Sequence, residues 1–170
     1  MTQRHLALIG YGSIAADLIP ILYDQPEGGP ESLTVLVRAA REEAVRRSVS
    51  QQLGKHPVRL EVTSNPDSLL ASQPDLVVES AGHEAVASYG SRILQQGCDL
   101  LIASVGALAD AALLQQLKSA AQLGGAQLIV PAGAIGGIDA LGAARLSGLS
   151  SVTTDLSFFH SDFGTYPQPR

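Results

Sequence analysis

The chain has 170 residues, of which 45% are hydrophobic and 16% charged, and its formal net charge at pH 7 is −5. These values are typical of a single soluble globular domain, and the few scattered basic residues argue against nucleic-acid binding. We expect neither a signal peptide nor a membrane span, because Arg4 and His5 precede only a short apolar strand, so a cytoplasmic location is the default expectation. The single cysteine, Cys98, allows no internal disulfide and no cysteine metal cluster, and we interpret it as a small structural residue.

The first apolar run, at residues 6–9, leads into a glycine turn, GYGSIA, at residues 10–15. This pattern is typical of the strand, turn and helix that open a dinucleotide-binding βαβ unit. In such a unit Gly10 would permit the tight turn, Gly12 would let the backbone approach a pyrophosphate, and Ala15 would let the helix pack closely on the strand. The phosphates would then lie at a helix N-terminus, where free N–H groups and the helix dipole favour negative charge. The alternative is an ordinary strand-to-helix turn.

The helix after this turn is predicted from an apolar row with helical spacing, formed by Ile14, Leu18, Ile21 and Leu22. It should end near Tyr23, because the following segment, QPEGGP, is dense in turn-forming residues.

A second apolar run, at residues 33–37, does not alternate and predicts a parallel strand buried on both faces. Arg38 closes this strand, at the position where NAD-binding folds usually have an acidic residue that accepts a hydrogen bond from the ribose 2′-hydroxyl. Arg38, followed by Arg41 one helical turn later, cannot accept that bond but can form a forked contact with a 2′-phosphate. The pair therefore favours NADP, or use of both NADP and NAD. The alternative is a solvated charge at a strand end.

Strands and helices continue to alternate along the chain. Further strands are predicted at residues 58–63, 75–79, 99–103 and 126–130. Further helices are predicted at residues 66–72, along Val86, Tyr89 and Ile93, along Leu113, Leu114 and Leu117, and from about Gly136 onward. This order predicts an α/β fold, a doubly wound parallel sheet of the Rossmann NAD(P)-binding type over residues 1–152.

Three segments rich in small residues follow strands of this predicted sheet. They are ESAGHE at residues 79–84, SVGAL at residues 104–108 and PAGAIGG at residues 131–137. Because ligands bind at the carboxyl ends of parallel strands, small residues there would leave room for a ligand. The alternative is that glycine and alanine merely form the turns.

The glycine turn and the motifs AGHEA, SVGALAD and PAGAIGGIDAL, in this order and spacing, resemble the nucleotide-binding part of L-aspartate dehydrogenases. That family oxidises L-aspartate to iminoaspartate with NAD or NADP as hydride acceptor, and the imine can feed NAD biosynthesis. In reverse it aminates oxaloacetate with ammonia. The resemblance implies cofactor contacts from Gly10, Gly12, Ser13 and Ile14 at the pyrophosphate, from Ala81, Gly82, His83, Ser104, Val105 and Gly106 along the cofactor, and from Ala134 beside the nicotinamide. His83 could also act as an acid or base, although a histidine that starts a helix is more often a cap or packing residue.

The resemblance ends at about Val152. Members of the family continue into a second α/β domain, which supplies a catalytic histidine and an asparagine that holds the cofactor, and neither has a counterpart here. Residues 153–170 instead form an atypical tail that contains all the phenylalanines, and we expect it to be poorly ordered. His160 in this tail is not expected to replace the catalytic histidine. No catalytic residue is assigned, and the chain is expected to bind a nicotinamide dinucleotide weakly and to act on L-aspartate, or on oxaloacetate with ammonia, only if the second domain were restored.

Two other functions remain open from the sequence. The chain could be the nucleotide-binding half of a homoserine-dehydrogenase-like enzyme, or a non-catalytic nucleotide-binding module whose tail docks on a partner through Phe158 and Phe159. Without a second domain, apolar surface around residues 134–146 would be exposed, so self-association into a homo-oligomer is expected.

Overall fold

A computed structural model describes residues 4–26 and 28–132 of the chain. Six parallel strands form one sheet in the order β3-β2-β1-β4-β5-β6. The strands are β1 His5–Ile9, β2 Ser32–Leu36, β3 Arg59–Thr63, β4 Leu76–Glu79, β5 Asp99–Ile102 and β6 Leu128–Ile129. The helices are α1 Ser13–Tyr23, α2 Glu42–Leu53, α3 Pro66–Ala71, α4 His83–Gln95 and α5 Ala111–Gly124, with short 3₁₀ helices at Ala39–Arg41 and Val105–Ala109.

The strand order reverses at β1, which pairs with β2 on one side and with β4 on the other. Leu8 lies opposite Val35 in the first pairing and opposite Val78 in the second. This is the doubly wound, Rossmann-type arrangement that the alternating sequence pattern predicts, and it is confirmed. In such a sheet, the crevice beside the point of reversal is where a dinucleotide binds.

Apolar side chains cover both faces of the sheet, as the non-alternating strands predict. Along β1, Leu6 and Leu8 pack with α1 and α2, whereas Ala7 and Ile9 pack with the buried faces of α3, α4 and α5. Burial of each large aliphatic side chain contributes about 1.5–3 kcal/mol. The two layers therefore hold the strand ends rigidly at the edge where the loops form the candidate site.

The predicted apolar face of α1 is correct for Leu18 and Leu22, which pack against the core, and wrong for Ile14 and Ile21. Ile14 and Ile21 are 57% and 58% exposed, whereas Ala15, Ile19 and Tyr23 form the buried row. The small side chain of Ala15 lies against the sheet, 1% exposed, which fixes the rotation of the helix about its axis. The close-packing role that the glycine motif predicts for Ala15 is thus borne out, and it excludes Ile14 from the core.

Several sequence predictions lie outside the described residues. These are the cofactor contact of Ala134, the helix from about Gly136, the domain boundary at 152, and the tail with His160. Within residues 4–26 and 28–132, no helix has both the length and the apolar character needed to cross a membrane.

Candidate functional site

A groove of about 610 Å³ runs along the carboxyl ends of the central strands. Five residues singled out from the sequence line it, namely Gly10, Gly12, Arg38, Arg41 and Ala81. The loops after β1, β2 and β4 meet there, because parallel strands place their carboxyl ends at one edge. The groove is therefore the strongest candidate for a ligand site in the described part of the chain.

The two glycines of the first loop have different structural roles. Gly10 has a φ of +93°, and a Cβ built on it would lie 2.8 Å from the Cβ of Ala81. The backbone thus needs glycine there both for its conformation and for the close approach of the β4 loop. A Cβ on Gly12 would meet nothing within 4 Å. Gly12 consequently leaves open space in the groove, as the motif predicts for a position that faces a phosphate.

The N-terminus of α1 faces this open space without a protein cap. Gly12 is its N-cap residue, no side chain caps it, and its first turn has no acidic residue. Ser13 and Ile14 are exposed there. The first N–H groups of α1 are thus free to donate to an anion, which the helix dipole also attracts.

A hydrogen-bond network from α2 holds the glycine loop in place. The Tyr11 hydroxyl donates to Oε1 of Gln52 at 2.8 Å and lies 2.9 Å from Oγ of Ser48. Nε2 of Gln52 in turn donates to the carbonyl of Ala16 at 2.8 Å. Sequence analysis missed this support, because nothing in the spacing of Tyr11 and Gln52 indicates that they meet.

Arg38 lies just beyond β2, as predicted, and is exposed at the groove together with Arg41. Neither guanidinium forms an ion pair with a carboxylate of the described residues, in which Arg47 pairs with Glu43 and Arg92 with Asp67. Ser64, after β3, also lines this end of the groove. Two positive charges and a hydroxyl thus surround the position expected for the adenosine ribose.

The loops after β4 and β5, the AGH and SVG segments, lie side by side. Glu79 accepts hydrogen bonds from Ala81 and Gly82 in the first loop and from Ser104 in the second. His83 begins α4, and its ring covers Gly106, where an added Cβ would lie 2.7 Å from Nε2. The ring of His83 therefore lies against Gly106 of the second loop, while the residue itself stays exposed. Glu79 was missed as a site residue, although a carboxylate at the end of an apolar strand was the available signal.

A second cleft, of about 670 Å³, lies at the opposite edge of the sheet. Its walls include Asp67, Asp75 and Asp99, together with Arg92 and the buried thiol of Cys98. Ligands of open α/β sheets bind at the carboxyl ends of the strands, whereas Asp75 and Asp99 place this cleft at the amino ends of β4 and β5. The groove at the carboxyl ends therefore remains the candidate site, although this second cleft is slightly larger.

Known proteins match most of the described residues. A model of the family described as homoserine dehydrogenase, NAD binding domain, matches residues 10–131. L-aspartate dehydrogenase of Serratia proteamaculans is 38% identical over 151 residues, which are 89% of this chain and 53% of that protein. L-aspartate dehydrogenase 2 of Bordetella bronchiseptica is 42% identical over 144 residues, 84% of this chain and 49% of that protein. The chain spans about half the length of the curated relatives that it matches.

Solved structures agree with these matches. Aspartate dehydrogenase from Thermotoga maritima superimposes with a TM-score of 0.57 at 25% identity, covering 82% of this chain and 50% of that one. The gentamicin-biosynthesis protein GenD2, solved in complex with NAD, gives a TM-score of 0.55 at 20% identity over 76% of this chain and 34% of that one. The second likeness shows a shared fold.

Proposed function

Because the chain belongs to the family of homoserine dehydrogenase NAD-binding domains, in the form found in the nucleotide-binding half of L-aspartate dehydrogenases, we propose that it serves an oxidoreductase that acts on L-aspartate. Its cofactor is a nicotinamide dinucleotide. We also propose that the chain prefers NADP over NAD. The whole protein would convert L-aspartate to iminoaspartate.

The observation that carries the proposal is the shape and charge of the groove along the strand ends. Open space at Gly12 lies before the uncapped N-terminus of α1, which suits a pyrophosphate. Arg38 and Arg41 lie at the end of β2 without acidic partners among the described residues, which suits a 2′-phosphate. NADP carries both a pyrophosphate and a 2′-phosphate, so this one ligand satisfies both ends of the groove.

The residues of this chain contribute binding and orientation. The N-terminus of α1 would hold the pyrophosphate, the arginines would hold the 2′-phosphate, and the loops after β4 and β5 would support the second nucleotide. When bound, the cofactor accepts a hydride from the substrate carbon. In the proposed reaction L-aspartate loses that hydride from Cα and a proton from its amino group, giving iminoaspartate, the reduced cofactor and a released proton.

The test is a fluorescence titration of the 170-residue protein with NADPH and with NADH. We expect saturable binding that is tighter for NADPH, and we expect Arg38→Asp to reverse this preference, because a carboxylate repels a 2′-phosphate and accepts from a 2′-hydroxyl. Arg47→Asp is the matched control, because it makes the same charge change on an exposed part of α2 outside the groove. No binding of either cofactor by the unaltered protein would refute the proposal.

A homoserine dehydrogenase activity is the second candidate, favoured by the name of the matching family model. The two activities can be distinguished in the reductive direction, because each oxidises NADPH with a different substrate. In a protein completed with a second domain, NADPH oxidation with oxaloacetate and ammonia supports the L-aspartate activity, whereas NADPH oxidation with aspartate semialdehyde supports the homoserine activity.

A further inference from the structure

Glu79 accepts four hydrogen bonds at the end of β4, next to the groove residues Ser80 and Ala81. Its carboxylate is at the end of β4 and is buried, with the residue 1% exposed. Oε1 accepts hydrogen bonds from the N–H groups of Ala81 at 2.7 Å and Gly82 at 2.8 Å, and from Oγ of Ser104 at 3.0 Å. Oε2 accepts from the N–H of Ser104 at 3.1 Å. One side chain therefore joins two loops that are 25 residues apart in sequence.

All four contacts are hydrogen bonds donated to the side chain, so the position requires a group with two acceptor oxygens, such as a carboxylate. Every donor is neutral, and no Lys or Arg of the described residues pairs with Glu79. A buried carboxylate is tolerated only when its oxygens are well supplied with hydrogen bonds. Glutamine, which is nearly isosteric, has a single acceptor oxygen and would leave at least one loop N–H facing an NH₂ group.

The sheet order indicates which part of the cofactor these loops would contact. A doubly wound sheet consists of two mononucleotide-binding halves on either side of the reversal. Arg38, after β2, marks the half that would hold the adenosine side. The loops joined by Glu79 follow β4 and β5, in the other half. The loop after β5 therefore belongs to the half that would hold the nicotinamide mononucleotide, and the loop after β4, whose Ser80 and Ala81 line the groove together with Arg38, lies between the two halves.

We propose that Glu79 is a positioning residue for the nicotinamide half of the dinucleotide, acting by fixing the loop after β4 against the loop after β5. This inference rests on the proposed function. Strands β4 and β5 are also held together without the Glu79 side chain. They pair along their length, and the N–H of Ala103 donates to the backbone carbonyl of Glu79. Loss of the carboxylate would thus loosen the loops without dismantling the sheet.

The experiment compares two ligands on the 170-residue protein and its Glu79→Gln variant. NADPH would reach both the groove and the loop after β5, whereas adenosine 2′,5′-bisphosphate would reach only the groove at Gly12 and Arg38. We expect Glu79→Gln to raise the Kd of NADPH about tenfold and to leave the Kd of adenosine 2′,5′-bisphosphate within about twofold, since one or two hydrogen bonds are lost. An equal loss for both ligands, or no loss for either, would overturn the proposal.

Ser104→Ala tests the same link with a smaller change, and decides the matter if Glu79→Gln does not fold. It removes one donor to Oε1 and should raise the Kd of NADPH about threefold, again without weakening adenosine 2′,5′-bisphosphate. Ser91→Ala is its control, because it removes a buried hydroxyl from α4 that has no hydrogen-bond partner among the described residues. Failure of the unaltered protein to bind either ligand would refute the proposed function and the inference together. Selective loss in neither variant would refute the inference alone.

Discussion

Gln52 supplies the hydrogen bond that Pro20 withholds from Ala16. In an unbroken helix the carbonyl of Ala16 would accept from the N–H of residue 20, but proline has none. Nε2 of Gln52 lies 2.8 Å from that carbonyl oxygen and takes the place of the missing donor. The same amide group accepts from the Tyr11 hydroxyl, so α2 supports both α1 and the glycine loop.

Gln52→Ala should destabilise the protein by about 1–3 kcal/mol, because it leaves the Ala16 carbonyl without its donor and the Tyr11 hydroxyl without one acceptor. Urea unfolding monitored by circular dichroism measures this change. NADPH binding should weaken as well, since the glycine loop loses a support.

The Pro20→Ala background separates the two contacts of Gln52. Alanine at this position restores an N–H to the helix, so the Ala16 carbonyl no longer depends on Gln52. We expect the cost of Gln52→Ala in this background to fall by about half. The same cost in both backgrounds would show that the contact with Ala16 contributes nothing.

Gly12→Ala should weaken cofactor binding while leaving the fold intact. A Cβ there meets no protein atom within 4 Å, and the φ of −103° is accessible to alanine, so we expect the free energy of unfolding to change by less than about 1 kcal/mol. The same methyl group would occupy space needed by the pyrophosphate. The Kd of NADPH should therefore rise about tenfold or more.

Gly10→Ala is the matched comparison on the other glycine. It combines a positive φ with a clash against Ala81, and it should cost about 2–4 kcal/mol of stability. If Gly12→Ala proved as destabilising as Gly10→Ala, the open space assigned to the ligand would be an error.

Burial raises the pKa of Tyr23 to about 12. An unfolded tyrosine loses its proton near its ordinary pKa of about 10, so ionisation favours the unfolded state above that pH. The contribution of the protonated Tyr23 to the free energy of unfolding is fully present below about pH 10 and is lost progressively as the pH rises toward 12. We expect urea unfolding to detect a loss of about 1 kcal/mol from this group between about pH 9 and pH 11.

Tyr23→Phe removes the titrating hydroxyl and keeps the ring, which is 4% exposed. This variant also loses the hydrogen bond of 3.0 Å from the hydroxyl to the carbonyl of Pro30, and should be less stable at neutral pH. Its alkaline loss should be smaller than that of the unaltered protein by the contribution of Tyr23. Identical pH profiles would assign the alkaline loss to other groups.

Cys98 should react slowly with thiol reagents in the folded protein. It is a free, buried cysteine, and burial raises the pKa of its thiol, with Asp75 and Asp99 adding to the effect. Because the thiolate is the reactive form, alkylation by iodoacetamide should be at least about tenfold slower in buffer than in urea. Equal rates would contradict the structural role that we assign to this residue.

The parallel sheet could be predicted because strand and helix segments alternate along the chain. The strands buried on both faces also appear in the sequence as continuous apolar runs. The Ala15 position in the glycine motif predicted the packed side of α1 correctly, whereas the apolar row was right for Leu18 and Leu22 and wrong for Ile14 and Ile21. Helical periodicity indicates that a helix has an apolar face. The close contact that the glycine motif requires between Ala15 and the sheet determines which side of α1 faces the core.

The supports of the site could not be predicted in the same way. Gln52 reaches Ala16 across 36 residues of sequence, and Glu79 reaches Ser104 across 25. Such contacts depend on how the loops meet in space, and local pattern holds no information about them. The positions of Gly10, Gly12 and Arg38 at the strand ends were predictable, because a glycine turn and the end of an apolar run are both visible in local sequence.

The position of β1 in the middle of the sheet also governs how a nascent chain can fold. β1 pairs with β4 as well as with β2, and the N–H of His5 donates to Asp75, which is 70 residues further along the chain. At a ribosomal rate of about 5–20 residues per second, that partner emerges roughly 4–14 s later. Until then one edge of the strand is open to other chains, so the yield of native protein in the cell should depend on protection during translation.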